Sequence, residues 1–330
     1  MIAEQKEEPA MLHTNLPTKL APGPRPLPVL GNTLGILRQG QVPFQVINWR
    51  RYGDLFRYQV GPYLAHTIVR PDHVRHVLAQ RRDNYEKGPG YAKTRELLGY
   101  GLLTSEDELW QQQRRRIQPP FTHKNVTPFA QVMVASTLQM LEQWEAVAQQ
   151  GATVDIHEEM TRLTLNIIGR TMFSFAVGES GSAIVAAYST AAAHINLRLA
   201  SFLDLPLVIP PPANRRFKGA VRTLDHLVYQ IIAERRRHPN PPDDLLTRLI
   251  NARDEESGTG MSDGQLRDET MTIFFAGHET TAEALTWAWW LLAQHPEVEA
   301  RLAHEVAHVL AGKPPTAADL PQLVYTRMVW

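Results

Sequence analysis

Ala276-Gly277-His278-Glu279-Thr280-Thr281 sets a glycine and four polar side chains into a stretch flanked by Phe275 and Leu285. Glycine weakens a helix by about 1 kcal/mol relative to alanine, so an interruption of this kind inside an apolar segment needs a reason. One reason is chemical. Gly277 would let a flat ligand approach the backbone, and the Thr280 hydroxyl can bond the carbonyl one turn back and open a local kink or water site. Glu279 adds a proton source beside it, and a carboxylate, a hydroxyl and a water form a relay that carries protons into a mostly dry pocket. The plainer reading is a polar patch facing a neighbouring helix.

Two other groupings could do chemistry. Trp110 and Arg114 stand four residues apart on one face of a short helix, pairing an indole N–H with a guanidinium, and both suit a carboxylate. Without a ligand they would be an exposed cation–aromatic pair. Arg115 and Arg116 point elsewhere and read as solvated, with partner docking as the sharper alternative. His304-Glu305-Val306-Ala307-His308 matches His-Glu-x-x-His, which on a helix offers two imidazoles to zinc and a glutamate as general base. A catalytic zinc takes a third protein ligand, and only Asp319 follows nearby. Val298, Leu302, Val306 and Val309 mark the core stripe of that helix, so His304 and His308 read as surface residues.

The elements that must hold these groups are mostly helical. Ser262 and Gln265 have capping-box spacing at the head of a long helix reaching Ala293. Ser105 with Glu108 and Asp155 with Glu158 open two others in the same way, the second running through Phe175. Thr127-Pro128 predicts an N-cap followed by proline at the first helical position. Prolines from Pro206 to Pro212 and from Pro239 to Pro242 separate further helices. Leu320-Pro321 reads as one more helix start, whose apolar pattern runs to Trp330 without a stop. Ala21 to Gly31, APGPRPLPVLG, excludes helix and central strand. The runs Phe56–Val60 and Leu64–Val69, split by Gly61-Pro62, predict a small strand pair.

Composition bounds the rest. With 43% apolar and 21% charged residues the chain of 330 can bury a large core. Its 34 basic and 34 acidic residues cancel, so no net field draws it to nucleic acid or an acidic membrane. There is no cysteine, which excludes disulfides and thiolate ligands within these residues. The first twenty residues, Met1 to Leu20, carry no signal-peptide core and are expected to be flexible. The most apolar window, Leu285 to Ala293, is about nine residues against the ~18 of a membrane span. A cytoplasmic protein without a membrane anchor is expected.

Taken in order, the proline-rich entry, the strand pair, Trp110-x-x-x-Arg114, Ala276-Gly277-His278-Glu279-Thr280-Thr281 and the closing Leu320-Pro321-Gln322-Leu323-Val324-Tyr325 resemble the cytochrome P-450 family, from about Pro22 onward. The resemblance implies a mainly α fold with one small β-region near the N-terminus, and residues 21–330 as a single domain incomplete at its C-terminal end. It implies haem b, its propionates held by Trp110 and Arg114 and its distal face crossed by Ala276, Gly277 and Thr280. Thr280 would be the oxygen-activating threonine and Glu279 its acidic neighbour. The implied activity is insertion of one atom of O2 into a hydrophobic small molecule, with electrons from a ferredoxin or reductase that these residues do not encode. The segments Tyr85–Leu103 and Ala186–Leu207 would line the substrate pocket. The family's glutamate-x-x-arginine pair and its haem-ligating cysteine would lie beyond Trp330, so this chain alone should not turn over. A zinc hydrolase through His304 and His308 and a non-catalytic helical binding protein are the alternatives from other classes.

Overall fold

The computed structural model describes residues 20–88, 90–174, 179–200, 212–254 and 258–330. The expected flexible terminus over residues 1–19, the proline break at 206–211 and the end of the second pocket segment lie outside them. Contacts divide the chain into two compact units, residues 1–86 and 87–330.

In the first unit α1 (Thr33–Gln39) and α2 (Gln41–Tyr52) precede the antiparallel pair β1 (Leu55–Val60) and β2 (Tyr63–Ile68), followed by α3 (Pro71–Arg75). Strand pairing runs from Leu55 opposite Ile68 to Val60 opposite Tyr63. Gly61, at φ 54°, makes the tight turn that a β-branched residue would strain. The strand pair therefore lies where the alternation and the Gly61-Pro62 break predict it, one residue earlier at each start. The proline-rich entry forms no helix and contributes only the isolated bridges Leu27 to Gly31 and Gly31 to Val60.

The second unit is helical: α4 (Gly90–Leu98), α5 (Asp107–Ile117), α6 (His123–Val126), α7 (Phe129–Gln149), α8 (Ile156–Phe173), α9 (Glu179–Ala200), α10 (Pro212–Arg237), α11 (Leu245–Asn251), α12 (Asp263–Gln294), α13 (Pro296–Leu310) and α14 (Val324–Val329). Its core follows from helical spacing. On α10, Phe217, Ala220, Leu224, Val228 and Ile231 recur at three and four residues and are all buried. They join Leu97, Leu165, Ile195, Leu246, Leu266 and Phe274 from five other helices in one cluster. Burying each such side chain contributes about 1.5–3 kcal/mol, so truncating the fully enclosed Phe217 to alanine would cost about 3–5 kcal/mol.

Helix starts divide into those fixed by local hydrogen bonds and those overruled by tertiary ones. Ser262 and Gln265 form the reciprocal capping box at the head of α12, and Asp155 caps α8 through the N–H groups of His157 and Glu158. Ser105 does not cap α5. Its hydroxyl is buried against Gln113 at 2.9 Å, and the cap position falls to Glu106, whose side chain makes no capping bond. Thr127 instead ends α6, bonding the His123 carbonyl, and Pro128 occupies the cap of α7 rather than its first turn. The last helix begins at Val324 with Leu323 as cap, three residues after Pro321, because Thr316 to Gln322 is taken up by turns closed on Asp319.

Candidate functional site

α12 runs unbroken from Asp263 to Gln294, straight through the polar motif. The Thr280 hydroxyl donates to the Ala276 carbonyl at 2.7 Å and the Thr281 hydroxyl to the Gly277 carbonyl at 2.8 Å. The bond one turn back is therefore present, and it satisfies a threonine inside a continuous helix. Ala276 and Thr280 are exposed on one side of α12, while Phe274, His278 and Ala282, spaced by four, form the buried stripe on the other.

Gly277 has a packing role that its sequence context concealed. A Cβ at this position would sit 3.1 Å from Ile168 Cδ1 on α8, tighter than ordinary van der Waals contact. The missing side chain lets α8 and α12 close on each other.

Glu279 is half-buried and accepts a hydrogen bond from the Tyr188 hydroxyl of α9 at 3.2 Å. It makes none to its neighbour Thr280. His278 lies edge-on to the Tyr188 ring, centroids 4.3 Å apart, with Nδ1 at 3.3 Å from the Phe274 carbonyl. Burial holds its pKa below the ordinary histidine value more strongly than that carbonyl raises it. His278 is thus a neutral core side chain and not an acid at neutral pH.

On α5, Trp110 is half-buried and Arg114 exposed, one turn apart on one face. The Arg114 guanidinium takes no ion pair or side-chain hydrogen bond among the described residues, so its planar fork of donors is open to a carboxylate. Its neighbours are not the solvated cations expected. Arg116 is only 5% exposed and donates to Thr259 Oγ1 at 2.7 Å. Arg115 pairs with the buried Asp254 at 3.3 Å. Both corrections come from partners more than 130 residues away, which helix spacing cannot reveal.

The loop between α4 and α5 links the two motif-bearing helices. Asp268 and Glu269 of α12 accept the N–H groups of Tyr100 and Leu102 at 2.8 and 2.9 Å. Gln113 of α5 donates to the Tyr100 carbonyl at 2.9 Å. Arg95 grips the Thr104 carbonyl through two nitrogens, and Lys87 Nζ donates to the Ser105 carbonyl. Gly99 and Gly101 make this contact possible. A Cβ on Gly101 would fall 2.1 Å from Thr272 Oγ1 and 2.6 Å from the Asp268 carbonyl oxygen. Glu269 is fully enclosed, with Oε1 unpartnered. Burial raises its pKa to about 7, against the Leu102 N–H that stabilises the anion. An acidic pair near the start of α12, together with closely spaced glycines at 99 and 101, was the available signal for this contact.

The His-Glu-x-x-His sequence serves another purpose. Glu305 accepts the N–H groups of Tyr325 and Thr326 and the Thr326 hydroxyl at 2.6–2.8 Å, capping α14. Desolvation opposes its charge, but these bonds outweigh it and hold the carboxyl below its usual pKa. His304 and His308 are exposed. Among the described residues no three His, Asp or Glu side chains converge on a point suited to a metal.

The sequence profile that matches is that of Cytochrome P450, over residues 21–330. The chain is 35% identical to cyclooctat-9-en-7-ol 5-monooxygenase of Streptomyces melanosporofaciens, over 94% of its own length and 66% of the relative's. It is 34% identical to cyclooctatin synthase of the same organism, over 98% and 69%, and 32% identical to pentalenene oxygenase of Streptomyces avermitilis, over 92% and 66%. The chain thus spans about two thirds of the length of these relatives.

Proposed function

The chain belongs to the cytochrome P450 family, and from that premise we propose that the protein to which it contributes is a haem-dependent monooxygenase inserting one atom of O2 into a hydrophobic small molecule. The observation that carries this reading is the exposed Ala276–Thr280 face of α12 with Glu279 beside it. Relatives named for the oxygenation of cyclooctat-9-en-7-ol and pentalenene support an apolar substrate.

Haem b supplies, when bound, the iron at which O2 is activated. Arg114 fits its propionate edge, because its guanidinium on the exposed face of α5 offers donors to carboxylates, and Trp110 lies one turn before it on that face. Ala276 and Thr280 fit its distal side, presenting a methyl group and one hydroxyl, small enough for a flat group to approach. With no cysteine among the 330 residues, a thiolate that would ligate the iron would have to come from outside them.

In this reading Thr280 holds a water at its hydroxyl oxygen, whose lone pairs remain available while its hydrogen is committed to the Ala276 carbonyl. Glu279 takes up a proton in transit and hands it to that water. His278 takes no part, being neutral and enclosed. Electrons come from a separate ferredoxin or reductase, and the protein is cytoplasmic. No helix of the described residues is long and apolar enough to cross a membrane. Residues 21–330 belong to one catalytic domain.

The test uses the full-length, haem-loaded protein. Thr280→Ala should divert electrons from product to peroxide, and Arg114→Ala should lower haem retention on gel filtration. Unchanged coupling would remove the relay, and unchanged haem occupancy would remove Arg114 from the propionate edge.

A further inference from the structure

We propose that Tyr188 is a positioning residue for Glu279, so that the acid's part in proton delivery depends on a phenol carried by α9. The inference rests on the assignment of Glu279 and Thr280 as the relay and names the group that controls it. Tyr188 is 3% exposed, and its ring is fixed by three side chains of α12: edge-on contacts with Phe274 at 5.5 Å and His278 at 4.3 Å, and a tilted one with Phe275 at 5.8 Å. With the ring so held, the hydroxyl has one carboxylate within reach, Glu279 Oε2 at 3.2 Å.

A buried phenol without a partner would cost about 1–3 kcal/mol, so this bond is required by the burial. The direction of donation is also fixed. Burial, and after it the Glu279 charge, push the phenol pKa far up, so Tyr188 stays protonated and donates. Glu279 Oε1 takes no hydrogen bond among the described residues, so one carboxylate oxygen is anchored and the other is free for a water shared with Thr280.

The experiment compares Tyr188→Phe, Glu279→Gln and the double variant in the full-length, haem-loaded protein. Tyr188→Phe keeps every ring contact and removes only the hydroxyl. It should lower product formed per electron about fivefold, the factor that one hydrogen bond of about 1 kcal/mol carries at 1.36 kcal/mol per decade, with substrate KM unchanged. In the Glu279→Gln background it should lower it no further. Infrared difference spectra of the same full-length protein supply a second readout: the carboxylate band lost in Glu279→Gln should move in Tyr188→Phe. An unmoved band, or a change confined to KM, overturns the proposal and leaves Tyr188 as packing. If Glu279→Gln itself leaves coupling intact, the relay assignment fails instead, and the infrared shift would then report a bond without catalytic consequence.

Discussion

Between Asp263 and Ala282, α12 buries Arg267, Glu269, Thr270, Thr272 and His278, whereas between Leu285 and Gln294 it exposes Trp287, Trp289, Trp290 and Leu291. Hydropathy read along the sequence would rank these halves the other way. The polar half can go inside because partners reach it from other elements. Arg267 meets Asp225 of α10 and its own neighbour Asp268, and Glu269 receives an N–H from the loop before α5. Partnering is incomplete: among the described residues Glu269 Oε1, Thr270 Oγ1 and Thr272 Oγ1 have none. That incompleteness places a cost in the half of the helix that also carries the motif. The tryptophan half carries no such cost: Trp287 and Trp290 meet edge-on at 5.4 Å, and Trp289 packs on Trp144 of α7 at 6.3 Å.

The largest effect expected on this contrast comes from Gly101→Ala. The new methyl would drive into Thr272 and the backbone of Asp268, and overpacking of this kind costs about 3 kcal/mol. An unfolding free energy, from denaturant titration, that falls by less than a third of that amount would mean the loop does not press on α12 in solution.

Glu269→Gln should sharpen the contrast through pH. Because the folded pKa is raised from 4.5 to about 7, the group favours folding fully below 4.5, and that contribution is lost as pH rises through 7. At pH 8 the substitution therefore removes a buried charge and stabilises by up to ~3 kcal/mol, at 1.36 kcal/mol per pH unit. At pH 4 the gain should vanish. Urea unfolding at a series of pH values tests this, and a difference independent of pH would contradict the buried anion.

Smaller effects lie at the middle and the far end. Gly277→Ala gains about 0.9 kcal/mol in helix propensity and loses a similar amount against Ile168 Cδ1, leaving a net change near zero. In an Ile168→Val background, where that methyl is gone, the propensity gain should reappear in the melting temperature. Trp290→Ala, at a half-exposed position, should change stability by no more than ~0.5 kcal/mol. A cost of several kcal/mol would show that the tryptophan end is covered in solution and erase the comparison.

What could be read from the sequence was what is local. The strand pair follows from alternation around Gly61-Pro62, the head of α12 from Ser262 and Gln265, and the half-buried stripe of α13 from Val298, Leu302, Val306 and Val309. The same rule misassigned Ser105, because a buried bond to Gln113 competes with capping, and it left Arg116 in solvent because Thr259 lies 143 residues away. In the candidate site, spacing identified Glu279 and Thr280 as neighbours. That their side chains turn to different partners, Tyr188 across 91 residues and Ala276 one turn back, required the fold.

The loop between α4 and α5 also sets a timetable. Its anchors on α12 lie 168 and 167 residues downstream. At a synthesis rate of roughly 5–20 residues per second, Tyr100 and Leu102 leave the ribosome on the order of 10–30 s before Asp268 and Glu269 exist to receive their N–H groups. The nascent chain must keep α5 and its arginines without their eventual support for that interval, and codons that slow translation between α5 and α12 would lengthen it.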